Sequence, residues 1–365
     1  MRVLFVTTGR KVGSVETLAR RGVEVVTLHQ NFTLNGPLKL LSYLLTHSGA
    51  TLEYAARVSF CLAKQEFDVL HVEPAFPTGF VAAITKSVKS SMRSVISLIG
   101  VDIGIVSEIG YGQRLDPWKN YLTRVALRSA DLIISPSPLG ASIAGRAGAD
   151  PQKVKVIPWG VDTARHNPRV RENSVELRAR LGLADHPVIM TVGRLHPVKG
   201  LWDLLYSMRI VLQTLPNARL VMVGKGELYE TLLNLSASLR LTDSVIFTGY
   251  IPDDMLPPYY GMADVFCQPS HFDLSPIAAL KAMACGTPVI VTDMVGTSYY
   301  VLKGNAGLVV KSRDHRALAA ALIDLLTNRS KREEMAENAS RIASSFNRDA
   351  IAQLHVEAYK TVLNH

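Results

Sequence analysis

Two cations five residues apart, Arg194 and Lys199, follow an apolar run in Thr191-Val192-Gly193-Arg194-Leu195-His196-Pro197-Val198-Lys199-Gly200. Arginine offers a planar fork to phosphate oxygens and lysine a compact charge, so the pair suits a phosphorylated ligand. A second group follows another apolar run, in Gln268-Pro269-Ser270-His271-Phe272-Asp273-Leu274-Ser275-Pro276-Ile277. Here Ser275 is placed to cap a helix with Pro276 at its first position. The unpaired amides of such a helix start attract anions. Asp273, just ahead, sets a carboxylate where it can orient hydroxyl groups of the same ligand. Gly286-Thr287-Pro288 ends that helix by ordinary C-cap and breaker chemistry.

Other residues invite chemistry less strongly. His71 and Glu73 end a predicted strand near a ligand cleft, where an acceptor-side role fits Glu73. His271 is a further candidate, but a lone histidine at such a strand end more often satisfies a backbone group than catalyses. His29, His47 and His166 show no partner spacing. Val223-Gly224-Lys225-Gly226 carries a lone Gly-x-Gly with no acid ending the next strand, which argues against a dinucleotide-dependent enzyme. In Thr8-Gly9-Arg10-Lys11-Val12-Gly13, the glycines either admit a ligand to the backbone or merely turn a strand into a helix.

These residues sit on a regular alternation of elements. Strands are predicted at 3–7, 24–28, 69–72, 94–98, 132–134 and 153–157, with helices at 14–21, 38–65, 78–87, 117–129 and 138–145. After a polar, proline-marked stretch at 163–173 the alternation restarts. Its strands fall at 188–192, 219–223, 244–248, 265–268, 289–292 and 307–310, and its helices at 201–213, 228–239, 276–284 and 314–327. Near-continuous apolar strands alternating with helices imply parallel sheets covered on both faces. The expected fold is therefore α/β, with two Rossmann-like domains (1–165 and 166–345) facing across a cleft. A last helix, 348–363, has no new strand to serve and is expected to return to the first domain.

Composition narrows the class. The 365 residues are 48% hydrophobic and 19% charged, a globular profile. The first apolar run is interrupted by Gly9-Arg10-Lys11, as a strand rather than a signal peptide would be. The apolar stretch 38–63 contains Lys39, Glu53 and Arg57 and fails as a membrane span. Three cysteines without ligand spacing favour a reducing cytosol over disulfides or zinc. Residues 1–165 hold 19 Lys and Arg against 12 Asp and Glu, whereas the remainder holds 21 against 19. The basic excess of the first half reads either as a solvated face or as attraction to an anionic membrane. Nucleic acid is not indicated, because the basic residues are not interleaved with aromatics.

The second half resembles the glycosyltransferases of family 4, retaining enzymes of the GT-B fold that include sucrose synthases and bacterial mannosyltransferases. The matching text includes Val192-Gly193-Arg194-Leu195 with Lys199-Gly200, Val223-Gly224-Lys225-Gly226-Glu227-Leu228 and Val245-Ile246-Phe247-Thr248-Gly249-Tyr250-Ile251-Pro252. It continues through Tyr260-Gly261-Met262-Ala263-Asp264-Val265 and Ala282-Met283-Ala284-Cys285-Gly286-Thr287-Pro288-Val289, and back to Lys153–Asp162 between the domains. The resemblance spans about 132–327 and thins toward the N-terminus. It implies a nucleotide-diphosphate sugar as donor and a saccharide or lipid-linked acceptor, with neither cofactor nor metal. Arg194 and Lys199 would hold the diphosphate, and Gly193 and Gly224 would line the donor site. Gly249, Tyr250 and Ile251 would flank the nucleobase, and Ser275, Pro276 and Ile277 would present amides to the phosphates. Gly9, Arg10, Glu73 and Asp102 would lie on the acceptor side.

The chain departs from the family at telling places. Where the family has two glutamates eight positions apart, this sequence has Asp273 and Lys281. Lysine has no acceptor atom and cannot take the ribose hydroxyls as a glutamate does. It is expected to add positive charge beside the diphosphate. Tyr299 stands where the family usually has an acid after the next strand, and Ile99 where it often has a histidine in the first domain. Two readings follow: an active transferase with altered donor or acceptor, or a catalytically degenerate homologue that binds nucleotide or sugar as a regulatory subunit. The first is preferred, on a cytoplasmic enzyme that rests peripherally on the inner face of the membrane.

Overall fold

Each of the twelve predicted strands is present, and they assemble into two six-stranded, wholly parallel sheets. The structure, a computed structural model, describes residues 1–8, 15–29 and 37–364. It divides the chain into one unit of Met1–Gly160 with Arg348–His365 and another of Val161–Asn347.

The first unit runs β1 (Arg2–Thr7), α1 (Val15–Ala19), β2 (Glu24–His29), α2 (Pro37–Thr46), α3 (Thr51–Lys64), β3 (Val69–Glu73), α4 (Phe80–Val88), β4 (Arg93–Ser97), α5 (Pro117–Ser129), β5 (Leu132–Ser135), α6 (Pro138–Arg146) and β6 (Val154–Val156). Its sheet order is β2-β1-β3-β4-β5-β6. Val3, Leu4 and Val6 of β1 and Val69, Leu70 and Val72 of β3 are wholly buried, as central strands covered on both faces require.

One predicted helix is two. The run 38–65 breaks between α2 and α3, where His47 adopts φ 52°. Local polar side chains compete with the helix there. Thr46 Oγ1 donates to the Ser42 carbonyl, the Ser42 hydroxyl donates to the Ser48 carbonyl, and His47 Nδ1 pairs with Asp116 Oδ2 at 2.7 Å.

The second unit runs α7 (Val170–Arg180), β7 (Val188–Val192), α8 (Leu201–Thr214), β8 (Arg219–Val223), α9 (Tyr229–Ser238), β9 (Val245–Gly249), α10 (Leu256–Met262), β10 (Val265–Gln268), α11 (Ile277–Ala284), β11 (Val289–Thr292), α12 (Ser298–Lys303), β12 (Gly307–Val310), α13 (His315–Thr327) and α14 (Arg329–Ser344). Helices α7, α10, α12 and α14 were not expected. Two of these, α10 and α12, are short, and α7 and α14 are largely polar, so apolar periodicity gives little sign of them. The sheet order is β12-β11-β10-β7-β8-β9. The chain begins at β7, winds outward to β9, then returns to lay β10 on the other side of β7. In doubly wound sheets ligands bind at this reversal, beyond the carboxyl ends of the two strands. Leu204, Leu205, Met208 and Val211 of α8 pack with Leu318, Leu322 and Leu325 of α13 in one buried cluster beneath.

The final helix, α15 (Arg348–Leu363), is part of the first unit. Its Tyr359 hydroxyl is 2.7 Å from His71 Nδ1, and His71 Nε2 is 2.8 Å from Ser97 Oγ. His71 is thus buried and held by side chains of two other elements. Burial and the neighbouring His355 hold it well below the usual imidazole range.

Candidate active site

The reversal between β7 and β10 is where both cationic and acidic residues gather. Beyond β7 the chain turns through Gly193 and Arg194 into a 3-10 turn, Pro197–Lys199, and then α8. Beyond β10 it passes Asp273 and enters α11. The two loops are joined, because the His271 amide donates to the Val198 carbonyl at 2.8 Å. Gly200, at φ 64°, passes so close that a Cβ would lie 2.0 Å from the Pro269 carbonyl oxygen. This approach brings Lys199 Nζ to 2.5 Å from Asp273 Oδ2. Asp273 Oδ1 accepts the Ser275 amide at 3.3 Å. His271 braces the same corner, with Nε2 2.7 Å from Asp203 Oδ2 of α8. It is a strut, not an acid–base residue at the cavity.

The loops after β7, β8 and β9 are stapled side by side. The Gly193 amide donates to the Val223 carbonyl (3.0 Å), the Leu195 amide to the Lys225 carbonyl (3.0 Å) and the Gly224 amide to the Gly249 carbonyl (2.8 Å). Gly224 has φ 142°, and a Cβ on it would fall 1.8 Å from the Gly193 carbonyl oxygen. Only glycine fits. The resulting floor opens on a cavity of about 760 Å³, lined by Gly193, Arg194, Gly224, Lys225, Tyr250, Ile251, Asp253 and their neighbours. That volume lies within the range of small-molecule sites.

Charge in the cavity is mostly positive. Arg194 is exposed and forms no ion pair with a described residue. Lys225 Nζ lies 5.3 Å over the ring of the exposed Tyr250. Burial, and then Arg194 and Lys199, lower the imidazole of His196 despite Glu227 beside it. Arg194 and Lys199 thus add to burial in disfavouring a further proton there.

Several expectations change. Ser275 is not the helix cap: α11 starts at Ile277, Pro276 occupies the cap position, and the Ser275 hydroxyl is buried without a partner among the described residues. Pro276 has no amide hydrogen, and that of Ser275 is given to Asp273. The amides left at this helix start without a described partner are those of Ile277 and Ala278. Lys281 does not stand free beside the phosphates, because its buried ammonium pairs with Asp253 Oδ1. Asp102 is turned to the backbone and not to an open acceptor side: Oδ1 takes the Ile99 and Gly100 amides and Oδ2 the Ala75 amide. It is wholly buried and clamps the loop after β4.

Glu73 ends β3 as expected, and burial followed by the Asp102 charge pushes its carboxyl up to about 7. Gly9 and Arg10 lie outside the described residues. Tyr299 is on α12, under the Lys303 ammonium at 5.7 Å. Lys225 and Asp253 line the cavity although no motif in the sequence assigns them to it; each follows within a few residues of a strand end, β8 or β9, and that is the signal that finds them. No group of three His, Cys, Asp or Glu among the described residues is arranged to hold a metal ion.

Comparison with known proteins bears on this site. The family described as "Glycosyl transferases group 1" matches residues 174–342, and "Glycosyltransferase Family 4" matches residues 15–165. The chain is 33% identical, over 75% of its length and 71% of the relative's, to a GDP-mannose-dependent alpha-(1-6)-phosphatidylinositol monomannoside mannosyltransferase of Mycolicibacterium smegmatis. It is 34% identical to a D-inositol 3-phosphate glycosyltransferase of Acidothermus cellulolyticus, over 59% of this chain and 50% of the other. It thus spans about half the length of that relative. Among solved structures, a sucrose-phosphate synthase from Thermosynechococcus elongatus superposes with a TM-score of 0.83 at 21% identity, covering 100% and 99% of the two chains. HepE of Anabaena in complex with UDP gives 0.78 at 21% identity, covering 99% and 100%. These two share the fold.

Proposed function

The chain belongs to glycosyltransferase family 4, and on that premise we propose that it moves a hexose, with retention, from a nucleotide-diphosphate sugar to a lipid-linked or other anionic acceptor. The observation that carries this reading is the cavity beyond β7, β8 and β9, lined by Arg194 and Lys225, with the Lys199–Asp273 pair at the adjoining β7/β10 reversal ahead of the α11 start. Arg194 and Lys199 grip the donor diphosphate, and the Ile277 and Ala278 amides add fixed dipoles. As the bond from sugar C1 to the phosphate oxygen breaks, charge gathers on that oxygen. Preorganised cations stabilise it more than they stabilise the ground state. The acceptor hydroxyl attacks C1 from the face the phosphate leaves, and its proton passes to the departing phosphate oxygen. Asp273 orients the sugar hydroxyls, and no metal ion takes part. Tyr250 and Ile251 flank the base.

The acceptor belongs to the first unit, which carries the basic excess. Exposed Leu41, Tyr43, Leu44 and Leu45 of α2 and Phe60 of α3, with Lys64 lying over the Phe60 ring at 4.2 Å, suit a peripheral seat on an anionic membrane. Among the described residues no helix is long and apolar enough to cross a membrane. GDP-mannose and UDP-glucose, with phosphatidylinositol mannoside and inositol phosphate as acceptors, are the first substrates to try.

The test is calorimetric titration with UDP and GDP, followed by transfer assays with labelled donors, with and without EDTA. Binding and EDTA-resistant transfer support the proposal. Transfer abolished by EDTA overturns metal independence. Lys281 and Tyr299, where the family carries acids, favour a second reading, a binding subunit without turnover. Tight nucleotide binding with no transfer to any acceptor decides for it.

A further inference from the structure

The donor cavity contains one carboxylate among its described lining residues, and it is not at the position where the family resemblance places one. Asp253 opens the 3-10 turn Asp253–Met255 beyond β9, two residues past Ile251. Its side chain is 59% exposed, whereas that of its partner Lys281, on α11, is 11% exposed. The lysine is thus interior and the aspartate is the cavity-facing member of the pair. Lys281 Nζ engages Oδ1, and Oδ2 has no described partner.

A carboxylate among Arg194 and Lys225 needs a reason, because it repels the phosphates those cations attract. It is useful only toward hydrogen-bond donors. The ribose of a nucleotide is such a ligand, since its two neighbouring hydroxyls can be received together by one carboxylate. The position agrees: Asp253 adjoins the base-flanking Tyr250 and Ile251, and Arg194 lines the same cavity on the phosphate side. Lys281 then has a role that needs no acceptor atom. It fixes the carboxylate from behind and cancels its charge, so that the diphosphate meets no net repulsion. Burial alone would raise the Asp253 carboxyl, but the hydrogen bond and charge of Lys281 outweigh it and hold the group below its ordinary range. His166 and Arg165 also face this carboxylate and act in the same direction.

We propose that Asp253, positioned by Lys281, receives the ribose hydroxyls of the donor nucleotide and so replaces an acid at position 281. The proposal rests on the donor-site reading above. It is tested by titrating the full chain with UDP and GDP and with their 2′,3′-dideoxy counterparts. Each hydrogen bond to a charged group contributes about a tenfold factor. Wild type is expected to bind the better ribonucleotide at least tenfold more tightly than its dideoxy form. Asp253→Ala should bind both forms equally. Asp253→Asn, which keeps the shape, should retain part of the preference. Lys281→Met should weaken the preference and, by leaving the Asp253 charge uncancelled, weaken binding of both forms. If wild type binds nucleotide without preferring the ribose form, or if Asp253→Ala folds and keeps the preference, the assignment is wrong and the donor site stands. If wild type binds neither nucleotide, the donor-site reading falls and this assignment falls with it.

Discussion

Lys199 Nζ lies 2.5 Å from Asp273 Oδ2, so the cation assigned to the donor phosphates and the carboxylate assigned to the sugar hydroxyls are bonded to each other. The side chains are 22% and 16% exposed, and in this setting a charge-assisted hydrogen bond is stronger than a surface pair. Each group holds the other in place. On the proposed donor site, a bound nucleotide would share Lys199 between Asp273 and phosphate.

Substitutions at this pair should therefore act oppositely on binding and turnover. Lys199→Ala is expected to lower turnover by about 10² to 10³-fold, the usual consequence of removing one stabiliser of developing negative charge. Arg194→Ala should do the same. Asp273→Asn removes a competitor for Lys199, so UDP binding should hold or tighten a few-fold while sugar transfer falls at least about 10²-fold. Calorimetry and steady-state rates on the same preparations check this; equal losses of binding and turnover in Asp273→Asn would refute the sharing.

Gly224→Ala should damage the cavity floor. A Cβ there would sit 1.8 Å from the Gly193 carbonyl oxygen at φ 142°, so β7 and β8 must part. A loss of about 2–3 kcal/mol in urea unfolding is expected, with weakened nucleotide binding. Gly193→Ala, with open space around it, is the control and should cost far less stability.

Glu73 makes stability depend on pH in a definite direction. Its carboxyl is pushed up to about 7 in the fold and returns to the ordinary value of 4.5 on unfolding. Between those values the folded state holds the proton and the unfolded state does not, so stability falls as pH rises from about 4.5 to 7. The loss is at most about 3 kcal/mol. Glu73→Gln should remove this slope and raise the melting temperature above pH 7 relative to wild type. Melting curves of both proteins from pH 5 to 8 measure it.

Replacing Leu44 and Leu45 with glutamate should reduce sedimentation with vesicles containing phosphatidylserine by several-fold. These residues are 65% and 53% exposed on α2, so folding should be unaffected. Unchanged sedimentation would remove α2 from the membrane reading.

The sequence by itself determined the twelve strands, the restart of the alternation after the polar stretch 163–173 and the placing of Arg194, Lys199 and Asp273 beyond strand ends. Those features are written in local patterns: a strand covered on both faces must be apolar throughout, and its carboxyl end is marked by the glycine or polar residue that stops it. What the tertiary structure decided are pairings between residues far apart in the chain. Lys281 meets Asp253, 28 positions away, and no periodicity indicates that a helix lysine will bury itself against a turn aspartate. His71 meets Tyr359 across 288 positions, and Asp102 gives both oxygens to loop amides. The order of the sheet is likewise a global choice, and it alone brings the ends of β7 and β10 together. Arg194 and Lys199 were visible as two cations. Packing β10 against β7 is what supplied Asp273 to hold one of them.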